Sequence, residues 1–367
     1  MERKKIKDLC KTISSNLQIN KLEDNFGDYP LYGASGLVKR LDFYKIDKPY
    51  VSIVKDGAGV GRIAFHEAKS SIVGTMQGFI NNDNVNLKFF YYALKSQRLG
   101  TSKNGLTIPH IYFKNYGENE INFYSLSKQK EIADYLDSIS EAIENKKQQI
   151  SLLDELIKSR FVEMFETIDL SEEKPEWVEL EKLTKIYTGT TPSSTDESNW
   201  NGDILWITPA EIDSDSFYIY NTVRKITEKG RKSKSLDIMP INTVLLSTRA
   251  PIGKVGIVGK PMACNQGFKN FECGTKLNPI FLYILLKNNT DYLNSLGSGT
   301  TFLEVSKSRI AKLKVPVPKI ELQNEFESFV KQVNKSKFNY YSRYFLCDIL
   351  TLFSSTIAYS SVVSILA

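Results

Sequence analysis

The chain has 367 residues, of which 41% are hydrophobic and 25% are charged, with a formal net charge of +6. This composition is typical of globular domains and excludes a disordered or fibrous chain, and the length is sufficient for two domains with separate cores. The first residues are charged without an apolar segment, which predicts neither a secretory signal nor a leading transmembrane helix, so we expect a cytoplasmic location.

Charge is distributed along the chain as two basic blocks separated by an acidic one. Residues 1–124 contain 18 Lys and Arg against 12 Asp and Glu, residues 125–175 contain 7 against 12, and residues 176–318 contain 18 against 14. A single basic block is usually only a solvated surface. Two of them flanking an acidic segment are more typical of two anion-binding domains on a spacer that does not touch the anion.

The stretch VSIVKDGAGVGRIAF, residues 51–65, looks like a strand that enters a phosphate-binding glycine loop. A dinucleotide site would need a helix directly after the glycines and an acidic residue about 20 positions later. Here the following residues alternate between apolar and polar, as a strand does. We therefore predict a strand-loop-strand unit without a bound cofactor.

Catalytic and metal-binding motifs are sparse. His66 and His110 are not placed beside a serine or cysteine nucleophile in a known motif, and we expect both at the surface or in loops. Glu172 and Lys174 have a Glu-x-Lys spacing found in some nucleases, but they lie in a charged linker. The cysteines have no zinc-ligand spacing and are predicted to be reduced core residues: Cys10, Cys264, Cys273 and Cys347.

The sequence contains an internal duplication. Similar residues recur 189 to 194 positions apart, including the pairs Gly61/Gly253, Arg62/Lys254, Gln77/Gln266 and Gln129/Gln323. In this alignment Gly57 and Gly59 of the first copy are replaced by Arg249 and Pro251 of the second. The glycine pattern does not persist, which argues further against a phosphate loop.

A long helix is predicted after each copy. Residues 126–165 contain no Gly or Pro, and their apolar residues follow a 3-4 spacing that Lys146 and Arg160 interrupt. Such a narrow stripe indicates a coiled-coil seam about 60 Å long. Residues 319–338 repeat the start of this helix, and we expect the two helices to pair antiparallel. The predicted seam residues are Ile132, Leu136, Ile139, Ile143, Ile150, Leu153, Ile157, Phe326, Val330 and Val333.

The C-terminal segment departs from this pattern. Residues 345–367 carry one charge, Asp348. Their length and hydropathy would allow a membrane helix, but Asp348, several serines and the lack of basic residues on the far side argue against it. We favour an altered or truncated end of the second helix, with a membrane anchor or a packing segment as alternatives.

The chain resembles the specificity subunits of type I restriction-modification systems. The stretch YTGTTPSSTDESNWNGDILWITPAEID, residues 187–213, is similar to the opening motif of that family, a Thr-Gly-x-Thr-Pro-Ser turn followed by Trp-x-Gly-Asp and a strand with Trp-Ile. YPLYGASG, residues 29–36, is similar to the other common opening form. VPVPKIELQNEF resembles the family's passage from the last strand into the helix, whereas INFYSLSKQKEI in the first copy lacks the usual prolines.

The resemblance implies an α+β fold with two mainly β target recognition domains joined by long antiparallel coiled-coil helices. The expected segments are a first recognition domain, a central spacer helix, a second recognition domain, a second spacer helix and an atypical apolar tail, over residues 1–124, 125–168, 176–318, 319–344 and 345–367. Each recognition domain, here called a head, would read one half of a split, asymmetric sequence in double-stranded DNA.

The resemblance also implies that this chain is not itself an enzyme. The helices would bind modification subunits, two in number, and the complex would include an ATP-dependent restriction subunit. S-adenosylmethionine, ATP and Mg²⁺ would belong to those partners, and the chain itself would hold no cofactor and contact no membrane. A structural coiled-coil interaction protein without a restriction role is the alternative reading.

DNA contacts require basic groups and hydroxyls for phosphates, and Arg, Asn or Gln on exposed loops for base edges. In the first head the candidates are Tyr32, Ser35, Lys55, Arg62, Gln77 and Asn104. In the second head they are Thr190, Thr191, Ser193, Arg249, Lys254, Gln266, Lys269, Thr300 and Thr301. We single out Arg249, because it replaces a glycine at the tip of a loop that both copies share.

Overall fold

The computed structural model describes two compact units. It covers residues 2–102, 109–213, 217–249, 251–298 and 303–337. The boundary between the units falls between Lys147 and Gln148, within a long helix. Each unit contains one head, and the C-terminal segment 345–367 lies outside the described residues.

The first unit is a mixed sheet and helix structure. Its sheets are four-stranded in the order β2-β8-β5-β6, three-stranded in the order β4-β3-β7, and a β1-β9 pair. The strands are β1 (Glu2–Lys5), β2 (Cys10–Ser14), β3 (Tyr29–Gly33), β4 (Gly36–Leu41), β5 (Tyr50–Val54), β6 (Ile63–His66), β7 (Ser71–Ile72), β8 (Met76–Asn81) and β9 (Glu120–Phe123). The helices are α1 (Leu87–Ser96), α2 (Phe113–Tyr116) and the start of α3 (Leu126–Phe165).

The predicted strand-loop-strand unit is confirmed. Strand β5 is buried along its whole length and pairs antiparallel with β6. Two glycines in the connecting loop have positive φ angles, 96° at Gly57 and 85° at Gly61. A Cβ atom at position 61 would also collide with the backbone of Gly100. The glycines therefore serve a tight turn and a close backbone approach.

The second unit repeats this plan. Its sheets are five-stranded in the order β11-β18-β15-β16-β13, three-stranded in the order β14-β12-β17, and a β10-β19 pair. The strands are β10 (Val178–Glu179), β11 (Thr184–Thr188), β12 (Trp200–Ile207), β13 (Tyr218–Ile219), β14 (Arg224–Ile226), β15 (Val244–Leu246), β16 (Val255–Val258), β17 (Met262–Cys264), β18 (Lys269–Cys273) and β19 (Lys314–Val315). The helices are the end of α3, α4 (Leu180–Leu183), α5 (Glu228–Ser233), α6 (Pro279–Asn288), α7 (Thr290–Ser295), α8 (Lys307–Ala311) and α9 (residues 320–337).

Strand pairing corrects one detail of the sequence alignment between the copies. Val51 pairs with Phe79 in the first unit, and Val244 pairs with Phe271 in the second. Counting back two residues from each phenylalanine makes Gln77 equivalent to Lys269. The alignment of Gln77 with Gln266 is therefore wrong, because similarity over a short stretch of sequence favoured a match that the strand register excludes.

Helix α3 has the predicted bounds, and its two ends pack in different cores. Ile132 is 5% exposed and lies in the core of the first unit, with Leu136 packed against it. Ile157 and Leu153 pack in the core of the second unit. Both ends of the apolar stripe therefore anchor the helix to a head, while Ile139, Ile143 and Ile150 are half-buried between them.

Within the second unit, the end of α3 lies antiparallel to α9. Arg160 forms an ion pair with Glu325 at 3.1 Å. Asp154, which precedes Arg160 on α3, forms an ion pair with Lys337, which follows Glu325 on α9. The two helices therefore run in opposite directions. The ring centroids of Phe161 and Phe326 are 5.4 Å apart. Val330 and Val333 are buried in the same core.

Each long helix is attached to its own head by one buried glutamine. Gln129 near the start of α3 and Gln323 near the start of α9 are both fully buried. The Gln129 side chain accepts from Asn86 N at 2.8 Å and donates to the carbonyls of Asn84 and Tyr124 at 3.1 and 2.8 Å. Gln323 makes the same contacts in the second unit: it accepts from Asn278 N at 2.8 Å and donates to the carbonyls of Lys276 and Pro318 at 3.1 and 2.7 Å.

Replacing Gln323 by Ala is expected to destabilise the second unit by about 1 to 3 kcal/mol, because the buried N–H of Asn278 loses its partner. Hydrogen exchange at the Asn278 amide and denaturant unfolding of the chain measure the effect. Gln332→Ala is the matched control, since Gln332 is exposed on the same helix. An equal loss in both variants would contradict the role of Gln323.

His66 is not at the surface, which corrects the sequence prediction for this residue. It lies at the end of β6, is 5% exposed and shares a hydrogen bond of 2.7 Å with Ser52 Oγ. Its ring stacks on Tyr50, with centroids 4.8 Å apart. Burial lowers the pKa of His66 from 6.5 to about 4. His110 lies in a loop, as predicted.

The stability of the first unit should therefore depend on pH through His66. The folded pKa is below the unfolded one, so the unfolded chain binds the proton more readily and stability falls as pH decreases from about 6.5 towards 4. The loss is about 2 kcal/mol at pH 5. Urea unfolding of His66→Gln at pH 7 and pH 5 should show a correspondingly smaller decrease than the wild type. Equal decreases would contradict the assignment.

The described cysteines match the prediction of reduced core residues. Cys10 and Cys264 are buried, Cys273 is partly buried, and all three are unpaired. Burial raises the pKa of each of these thiols to about 12. Cys347 lies outside the described part of the chain.

Candidate nucleic-acid interface

The opening motif of the second head forms a loop held by two tryptophans. The indole N–H of Trp206 donates to the carbonyl of Thr190 at 3.2 Å, and that of Trp200 donates to the carbonyl of Ser193 at 3.0 Å. The two rings meet edge to face at 5.2 Å. Gly189 has no room for a side chain, because a Cβ atom there would collide with the carbonyl of Cys264. The motif is therefore a rigid support that leaves the Ser193 side chain exposed.

Other candidate residues of the second head lie beside this loop. Thr191 Oγ1 donates to Gln266 Oε1 at 2.8 Å, which joins the opening loop to the segment before β18. Lys254 Nζ donates to the carbonyl of Pro209 at 3.2 Å. The structure thus brings together Thr190, Thr191, Ser193, Lys254 and Gln266, whereas Thr300 and Thr301 lie outside the described residues.

Arg249 lies in a three-residue charge cluster in the same region. Its Nε donates to Glu304 Oε2 at 2.8 Å, and the other carboxylate oxygen is 3.7 Å from Lys269 Nζ. Side-chain exposure is 44% for Arg249, 35% for Glu304 and 9% for Lys269. Burial lowers the pKa of Lys269, and the nearby Glu304 carboxylate opposes that effect.

The first head places its candidates on the corresponding loops. Arg62 is exposed, and its guanidinium donates to the carbonyl of Ala34, next to the exposed Ser35. Tyr32 is half-buried, with its ring 4.2 Å from that of His66. Lys55 and Gln77 are half-buried near the ends of β5 and β8. Asn104 lies outside the described residues.

Backbone hydrogen bonds define which loop positions correspond in the two heads. Lys55 N donates to Thr75 O and Lys55 O accepts from Ile111 N, while Thr248 N donates to Gly267 O and Thr248 O accepts from Val305 N. Thr248 is therefore equivalent to Lys55. The residues that follow them, Asp56 and Arg249, are bridged to His110 and Glu304 respectively.

Arg249 therefore corresponds to Asp56 and not to Gly57. The sequence alignment was wrong at this position because the loop of the second head is one residue shorter than that of the first. Sequence reasoning missed Asp56, His110 and Glu304 as members of this region. The internal duplication could have revealed that His110 and Glu304 are equivalent, since they are separated by the same number of positions as Gln129 and Gln323.

The described residues contain neither a metal-binding cluster nor a membrane-spanning helix. In the part of the chain that is described, no group of three or more His, Cys, Asp or Glu residues could hold a metal ion. No helix there is long and apolar enough to cross a membrane.

The family model for the type I restriction modification DNA specificity domain matches residues 1–154 and 172–339. The MjaIX specificity subunit of Methanocaldococcus jannaschii is 35% identical over 175 residues, which are 46% of this chain and 40% of that protein. This chain therefore spans less than half of the length of that relative in the alignment.

Two solved structures share the fold. The S subunit of a type I restriction-modification system from M. genitalium has a TM-score of 0.61 at 17% identity, covering 95% of this chain and 93% of that one. A chain from a structure on complex assembly and conformational transition of the type I system has a TM-score of 0.51 at 14% identity, with 95% of both chains covered.

The chain belongs to the family of type I restriction-modification specificity proteins, and it carries two copies of the family's domain. The resemblance drawn from the opening motifs and the duplication is confirmed. Specificity subunits are the DNA-recognition members of their systems and not the catalytic ones, so the prediction that this chain is not an enzyme is confirmed with it.

Gly189→Ala is expected to destabilise the second unit by about 1 to 3 kcal/mol, because the added methyl group must displace the backbone at Cys264. The exposed neighbour Thr188 provides the control, since Thr188→Ala should change stability by less than about 0.5 kcal/mol. Denaturant unfolding of both variants measures the difference. Equal stability of the two variants would show that the loop does not need the glycine.

Proposed function

We propose that this chain is the DNA-recognition subunit of a type I restriction-modification complex and that its two heads read different halves of one bipartite, asymmetric sequence in double-stranded DNA. The observation that carries this proposal is the pair of equivalent loop frameworks with different side chains. At matching backbone positions, the first head has Lys55 and Asp56 where the second has Thr248 and Arg249. A shared framework with different chemistry suits two domains that bind the same polymer and read different bases.

The charge distribution supports DNA as the ligand. Both heads contain more basic than acidic residues, and the intervening segment contains more acidic ones. Lys and Arg neutralise phosphates, whereas side chains on loops select bases in the major groove. Ser193, Gln266 and Arg249 in the second head, and Ser35 and Arg62 in the first, are exposed and can serve these roles.

The long helices are proposed to form an antiparallel coiled-coil spacer that sets the distance between the half-sites. The antiparallel packing of residues 154–165 on residues 325–337 supports this arrangement. Leu152 and Leu156 are 61% and 47% exposed and lie one turn apart on α3, and this apolar pair supports a further role of α3 in binding other subunits.

The proposed partners are two modification subunits and one restriction subunit. Methylation and cleavage, with S-adenosylmethionine, ATP and Mg²⁺, are assigned to these partners. The solved relative from a study of complex assembly in a type I system supports a complex of this kind. A purely structural coiled-coil protein is less well supported, because it would not need two heads with different loop side chains.

Inserting four residues between Ile143 and Ile150 tests the spacer role. Four residues add about 6 Å and nearly preserve the helix face, and this length is close to two base pairs. We expect the bases of both half-sites to be unchanged and the gap between them to lengthen by one or two pairs. Genome-wide mapping of methylated sites, in cells that also express the partner subunits, measures both properties.

The same insertion between Glu173 and Lys174 is the control, since this linker is outside the helices and the gap should not change. Full activity with an unchanged gap after the helix insertion would contradict the spacer role of α3.

A further inference from the structure

Glu304 contacts the guanidinium of Arg249 in the second head. The carboxylate occupies only the Nε side of the guanidinium, at 2.8 Å. A guanidinium has five N–H donors, so its two terminal nitrogens keep donors for another ligand. The Arg249 side chain is 44% exposed, which leaves it accessible to a ligand.

Two terminal nitrogens of one arginine match the O6 and N7 acceptors of guanine in the major groove, the most common specific contact between proteins and DNA. This readout is effective only if the guanidinium is held in one orientation, because an unrestrained arginine binds any phosphate equally well. Glu304 provides such a restraint. It also prevents the exposed cation from adding sequence-independent affinity.

Glu304 is itself held in place. Its backbone N–H and C=O form two hydrogen bonds with the C=O and N–H of Ser298, both at 3.1 Å. Its backbone also forms an antiparallel bridge with Arg249. Its second carboxylate oxygen faces the buried ammonium group of Lys269 at 3.7 Å. Lys269 Nζ also lies 3.4 Å from Thr248 Oγ1. The carboxylate therefore connects a buried cation to an exposed one.

The geometry leads us to propose that Glu304 is a positioning residue, which orients Arg249 to read a guanine in the half-site bound by the second head. This inference rests on the proposed function. The first head has Asp56, Gln77 and His110 at the positions equivalent to Arg249, Lys269 and Glu304. It cannot make this contact at that place, so the two half-sites differ there.

The test uses the full chain assembled with its modification subunits and the target sequence that their methylation defines. Guanines of the second half-site, on both strands, are replaced one at a time by 7-deazaguanine, which lacks N7. One replacement should weaken binding of the wild type about 5-fold or more. Arg249→Ala should weaken binding to the normal site by about 5- to 100-fold and remove the sensitivity to that replacement.

Glu304→Gln should lower the ratio of specific to random-sequence affinity by at least 3-fold. Glu228→Gln is the matched control, because Glu228 holds Arg231 at 2.6 Å in the same head and the substitution removes the same charge. Arg249→Lys keeps the charge without the paired donors, and it should also lose sensitivity to 7-deazaguanine. Denaturant unfolding of each variant, compared with the wild type, shows whether the second head is folded, and discrimination in the first half-site should be unchanged because the first head has a separate core.

The proposal is overturned if the second half-site contains no guanine, if no 7-deazaguanine position matters, or if Glu304→Gln discriminates as well as Glu228→Gln. These outcomes differ from failure of the proposed function itself. In that case the wild-type complex would bind no sequence in preference to random DNA.

Discussion

The organisation of this protein depends on a glutamine that is buried where a long helix leaves its head. Gln129 and Gln323 are fully buried, and each side chain pairs with one backbone N–H and two backbone carbonyls. An unsatisfied buried polar group costs about 1 to 3 kcal/mol, so the helix cannot shift along its head without losing this stabilisation. The glutamines therefore fix the start of each long helix to its own head.

The loops of the two heads also share one backbone arrangement. The strand ladders and the backbone bridges are shared by both heads, while the side chains on them are not. The backbone bridge between Asp56 and His110 in the first head matches the bridge between Arg249 and Glu304 in the second. The acidic Asp56 is thus replaced by the basic Arg249 at the equivalent position. A shared backbone framework with variable loop side chains allows the surface chemistry of the two heads to differ without changes in their cores.

Much of this organisation follows from the sequence, because it is encoded locally. A stretch without Gly or Pro whose apolar residues follow a 3-4 spacing predicted α3, and the alternation after Gly61 predicted strand β6. The errors arose where tertiary contacts decide. His66 looked like a loop residue, yet strand pairing buries it beside Ser52. The Gln77 and Gln266 alignment failed because register depends on partner strands. The contact of Arg249 with Glu304 joins residues that are 55 positions apart, and no local pattern predicts it.

Each head is proposed to read its own half-site on its own structural framework. The most direct measurement replaces residues 176–318 with the second head of another member of the family and maps methylated sites across the genome in cells with the partner subunits. One half-site should change completely, while the other half-site and the gap should remain as they were. A change in both half-sites, or in neither, would contradict it.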